Sequence, residues 1–190
     1  MSERETCEII KKATTILTFY YDVKTYHRIF PWHHGGGDFV VRTNEDTVDV
    51  KLVTARGYEP VILPTEDGEI TPLRALILFF LETTVKMRLD KYEGMGESTW
   101  ADDSVVAAAV DGFIRTLMQK ESEGNTLAFK VSDVLAQLKS FTQDDLKGLL
   151  RTRMNQAAGR DTSDYAAISS HIDEHARDLH QAIQGQATTD

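Results

Sequence analysis

Cys7 is the only cysteine in this 190-residue chain. An intrachain disulfide needs two and a Cys-rich zinc site more, so both are excluded, together with the disulfide-stapled secreted class. The expectation is a reducing, cytoplasmic compartment. Basic charge is also short, with 21 Lys and Arg against 30 Asp and Glu, a net charge of −9 and a pI near 5.1. Such a surface repels phosphate backbones and anionic membranes over most of its area and suits cationic partners better. Long hydrophobic runs are missing too. The longest, Ala75 to Leu81, is seven residues, far below the ~20 that span a bilayer. The polar start, Ser2 to Thr6, lacks the basic opening and apolar core of a signal peptide. No membrane partner is expected.

The four prolines sit where the chain must stop or turn. Pro31 ends an opening helix read over 3–29, whose apolar residues from Ile9 to Phe30 recur mostly at spacings of three and four. Ser2 caps it and Glu5 completes a capping box. After a Gly35-Gly36-Gly37 loop the period changes to two: Val48, Val50 and Leu52 alternate with Asp49 and Lys51. With Phe39-Val40-Val41 before it and Tyr58–Leu63 after it, this predicts a three-stranded antiparallel meander, with Pro60 confining the third strand to an edge. Pro64 lies in a turn, and Pro72 opens a helix capped by Thr71.

That helix, 72–92, is apolar on most sides and is expected to be central and buried. Four more helices follow, at 102–121, 133–139 (capped by Ser132), 143–157 (capped by Thr142 with Asp145) and 163–184. The fold class is therefore α+β and helix-dominated: a long N-terminal helix, a meander, then a bundle of about five helices. A single domain is the default. A soft boundary near 122 would divide an α+β core, 1–122, from a C-terminal helical subdomain, 123–190.

Three places carry chemistry-bearing residues. Residues 19–39 hold seven of the sixteen aromatics beside the glycine loop, and Trp and Tyr are enriched at interface hot spots. Tyr21, Tyr26, Trp32, His33 and His34 are the candidate partner-binding residues. Residues 126–160 carry six basic against three acidic side chains on an acidic body, and two short helices there have a helix-turn-helix outline. Lys147, Arg151 and Arg153 are the candidate nucleic-acid contacts. In the last helix, His171 and His175 lie one turn apart with Asp178 beyond, which could offer two imidazoles and a carboxylate to a metal ion; helix phase places both histidines at the solvent border.

No Gly-x-Ser-x-Gly elbow, phosphate loop or dinucleotide fingerprint is present. The expectation is a non-enzymatic cytoplasmic module, an adaptor, regulator or chaperone-like protein that binds a protein partner and needs no cofactor. The alternatives are a nucleic-acid-binding regulator and a metal-dependent enzyme. The apolar stripe of the last helix, Tyr165, Ile168, Ile172, Ala176, Leu179 and Ile183, fits a packing seam that could close a homodimer.

Overall fold

The computed structural model describes residues 1–32, 37–44, 47–60, 70–91, 98–124, 127–157 and 162–187. Six helices dominate, and three short antiparallel ladders accompany them. Helix α1, Glu3–Phe19, starts on the expected box: the Ser2 hydroxyl accepts from the Glu5 N–H, and the Glu5 carboxylate accepts from the Ser2 N–H. It ends ten residues before the expected point. Asp22 Oδ1 accepts from the Lys24 and Thr25 N–H groups, and the chain turns back. Tyr26 then takes a left-handed φ of 61°, and the Phe30–Pro31 peptide is cis.

The meander divides. Strand β2, Phe39–Thr43, pairs with β3, Val48–Leu52, as the alternation requires. Strand β4, Tyr58–Pro60, does not join them but pairs with β1, His27–Ile29, inside the segment read as helix. Residues 61–63 lie outside the described set.

Helix α2, Pro72–Arg88, has Thr71 as its N-cap and buries Leu76, Ile77, Phe79, Phe80, Leu81 and Met87. It is the central helix, ending in the small ladder of β5, Leu89–Lys91, with β6, Ser98–Trp100. Helix α3, Asp103–Ser122, lies against α1 along most of its length. Gly112 allows that approach, because a Cβ there would stand 2.5 Å from the Lys11 carbonyl oxygen.

Helix α4, Val131–Ser140, begins earlier than Ser132 would cap it; Asp133 accepts from the Lys130 N–H, and Glu121 from the Val131 N–H. Helix α5, Gln143–Ala157, follows the Thr142–Asp145 box. Helix α6, Thr162–Gln184, packs on α3, α4 and α5. Its seam residues Ile172, Ala176, Leu179 and Ile183 are buried within the chain itself, so this part of the stripe is not open to a symmetry mate, whereas Tyr165 at its start is exposed.

Two of the charges in α2 tie the layers together. Glu82 accepts from Arg28 of β1 at 2.8 Å and from Arg153 of α5 at 3.1 Å. Burial pushes its carboxyl up, but the Arg28 guanidinium with Arg153 and Lys86 outweighs burial and holds it below the usual range. Arg88, wholly buried, is neutralised from α6.

Candidate functional site

The turn after α1 sorts the aromatic segment into inner and outer sets. Tyr21 is buried and stacks on Phe79, ring centroids 4.6 Å apart. Trp32 is 3% exposed, edge-on to Phe39, so it is a core side chain and not the accessible anchor that the composition points to. Tyr26 is half-buried, and its hydroxyl donates to the Ile70 carbonyl at 3.1 Å. His33 and His34 lie outside the described residues.

The outer set is Phe19, Tyr20 and Tyr58, 47%, 53% and 51% exposed. They adjoin one another. The Phe19 and Tyr20 rings meet edge-on at 5.7 Å, and the Tyr58 hydroxyl donates to the Tyr20 carbonyl at 2.8 Å. The His27 ring lies 5.4 Å from that of Tyr58. Two elements hold this surface in place: the C-terminal turn of α1 and the β1–β4 ladder. Lys120 of α3 donates to the Thr18 and Tyr21 carbonyls and sits 5.5 Å from the Phe19 ring centroid. A cation there complements the carbonyl end of α1; burial lowers its pKa. Which tyrosine faces out depends on where α1 ends, and that was misread.

The candidate nucleic-acid residues meet carboxylates. Lys147 and Arg151 both bind Asp173, at 2.7 and 3.3 Å, and Arg153 binds Glu82. The net excess of charge in 126–160 is thus partly answered from α6 and α2, which leaves less for phosphates.

The candidate metal residues are brought together, but for packing. His175 is fully buried, against the expectation of a solvent border, because α6 is covered by several helices and not by one. Its Nε2 lies 3.2 Å from Thr84 Oγ1. Since that hydroxyl donates to the Leu81 carbonyl, the Nε2–H must be the donor to Thr84, leaving Nδ1 as a buried lone pair without a partner. Burial, and after it the Arg88 charge, drives the His175 pKa down to about 3. His171 stacks on Trp100 at 5.1 Å, and its Nδ1 lies 2.9 Å from the Ala167 carbonyl. Asp178 gives one oxygen to Arg88 at 2.9 Å and the other to Arg177. Arg88 also donates to Glu174 and to the Ala101 carbonyl, with its guanidinium carbon 4.9 Å from the Trp100 centroid. Among the described residues no group of three or more His, Cys, Asp or Glu is arranged to hold a metal, and no helix is long and apolar enough to cross a membrane.

Sequence reasoning passed over Arg88, although a charge in a helix expected to be central and buried demands a partner. The Arg88 node accounts for its own charges, whereas the Phe19–Tyr20–Tyr58 surface leaves large apolar faces in water. No protein-family model matches this chain, nor does any curated protein or solved structure.

Proposed function

We propose that the chain is a non-enzymatic interaction module, an adaptor or regulator, that docks a protein partner on Phe19, Tyr20 and Tyr58, with His27 at the margin. The observation that supports this reading is the contact of the half-exposed Phe19 and Tyr20 rings, with the hydroxyl of half-exposed Tyr58 tied to the Tyr20 backbone, on two anchored elements. Aromatic side chains lose little rotamer entropy when a partner covers them and bury large areas, which makes them frequent interface anchors. The net charge of −9 favours a partner with a basic rim.

A photo-reactive phenylalanine derivative at position 58 tests the reading in extracts of the source cells. The expected result is a discrete protein adduct that disappears on adding Tyr20→Asp while the melting temperature holds. The same derivative at Tyr165, an exposed aromatic of α6, serves as the control. Equal adducts from both positions, or none from position 58, would refute it.

A further inference from the structure

Arg28 and Arg88 are both buried, at 5% and 0% exposure, yet they spend their donors differently. Arg88 uses all three guanidinium nitrogens: Nε on the Ala101 carbonyl, Nη1 on Asp178 and Nη2 on Glu174. Arg28 gives Nη1 and Nη2 to the two oxygens of Glu82, at 2.8 and 3.1 Å. Its Nε is buried and bonds to nothing. A guanidinium is planar, and its five N–H groups stand in fixed forks. Glu82 occupies the end fork. The side fork, which Nε–H shares with the second N–H of Nη2, is left over. A buried donor without a partner is costly, so it calls for a physical reason.

A second orphan accompanies it. Tyr21 is 3% exposed, and its hydroxyl also bonds to nothing. Burial raises the pKa of that hydroxyl far above its ordinary range, Tyr26 adds to the rise, and the Arg28 charge opposes it, so these three side chains lie within electrostatic reach of one another. Tyr26 itself holds a left-handed φ of 61° while its hydroxyl donates to the Ile70 carbonyl. A bulky residue in that region is strained, and such residues cluster at ligand clamps. The charges of Arg28, Arg153 and Lys86 all act on Glu82, three cations around one carboxylate. The Phe30 ring orders two of them, with Arg28 Cζ 4.3 Å and Lys86 Nζ 4.9 Å from its centroid. Arg28 and Tyr21 form the inner end of the cluster, and half-buried Glu82, Lys86 and Arg153 reach the solvent.

We infer that this cluster binds a small oxyanion, a phosphate or a carboxylate, clamped by the side fork of Arg28 and the Tyr21 hydroxyl. The donors select the class. Both orphan groups can donate to an anion, and the fork matches two oxygens carried on one centre. Of the four charges gathered at Glu82, three favour a negative ligand. A cation would meet those three like charges, and a water molecule needs neither the fork nor the charge. None of these groups belongs to the Phe19–Tyr20–Tyr58 surface.

Titration of the full chain with inorganic phosphate, and separately with acetate, tests this by calorimetry and by the NMR signal of the Arg28 Nε–H, at an ionic strength held constant with chloride. The expected result is saturable binding of at least one anion at millimolar concentration, with the Arg28 Nε–H resonance shifting in step. The arm that saturates at lower concentration tells phosphate from carboxylate as the source. Tyr21→Phe removes the hydroxyl and keeps the ring stacked on Phe79. It should weaken binding by about tenfold or more, as the loss of a hydrogen bond to a charged group does, while the melting temperature does not fall. Arg28→Lys keeps a charge for Glu82, loses the side fork and should abolish binding. An Arg28 Nε–H resonance that neither anion moves overturns the inference. So does binding that Tyr21→Phe leaves unchanged, which would place the anion on surface cations. If Arg28→Lys fails to fold, Tyr21→Phe and the resonance decide between them.

Discussion

Arg88 and Asp178 meet as a buried ion pair, Nη1 to Oδ2 at 2.9 Å, across 90 positions of sequence. Removing one member of a buried pair leaves the other charge uncompensated in the interior, at a cost of about 3–5 kcal/mol. Arg88→Met should lose stability of that order. Arg88→Met combined with Asp178→Leu should lose clearly less than the sum of the two single changes. Denaturant midpoints of the three variants measure the coupling; simple additivity would show that the pair does not act as a unit.

Glycines test the helix packing. Gly112→Ala places a methyl 2.5 Å from the Lys11 carbonyl, and backbone cannot swing aside as a side chain can, so destabilisation of about 1–3 kcal/mol is expected. Gly148→Ala is the counterpart. An alanine Cβ there meets nothing within 4 Å in α5, and should stabilise by roughly 0.5–1 kcal/mol through helix propensity alone. Thermal melts that move in opposite directions fit the α1–α3 contact.

His175 sets a pH dependence. Its folded pKa is about 3, against an ordinary value of 6.5. Between those values the unfolded chain binds a proton that the folded chain excludes, so stability is full above the unfolded pKa and falls as pH drops. The slope approaches about 1.4 kcal/mol per pH unit. His175→Gln keeps a donor for Thr84 and does not titrate. Denaturation curves at neutral and mildly acidic pH, above the carboxylate range, should show a shallower loss in the variant than in the wild type.

Trp32→Ala should behave as a core truncation, losing about 3–5 kcal/mol, and not as a surface change. A variant with unchanged denaturant midpoint would return Trp32 to the surface.

Helices α2, α5 and α6 were legible because caps or apolar spacing mark them locally. Thr71-Pro72, the Thr142–Asp145 pair and the stripe from Ile168 to Ile183 each state a boundary or a face locally. The end of α1 was misread because Tyr20, Val23, His27 and Phe30 keep a helix-like spacing, while Val23 and Phe30 are in fact buried from a turn and from just past β1. Asp22 was the available signal, since its side chain competes for the backbone N–H groups that follow it. The β1–β4 pairing joins residues about thirty apart through three-residue strands, and no local period encodes such a partner. The exposed tyrosines follow from those two points. His175 escaped because helix phase measures distance from one stripe, whereas α6 is enclosed on more than one side.

The arrangement around α2 also bears on how the chain is made. Synthesis runs from the N-terminus at ~5–20 residues per second. Arg88 therefore leaves the ribosome roughly 5–20 seconds before Asp178, its counter-charge 90 positions on. Glu82 waits in the same way for Arg153, 71 positions away, although Arg28 has already emerged. During that interval the most apolar helix of the protein carries a guanidinium that nothing yet neutralises. Neutralisation of Arg88, and with it closure of the core at the C-terminal end of α2, therefore waits for α6.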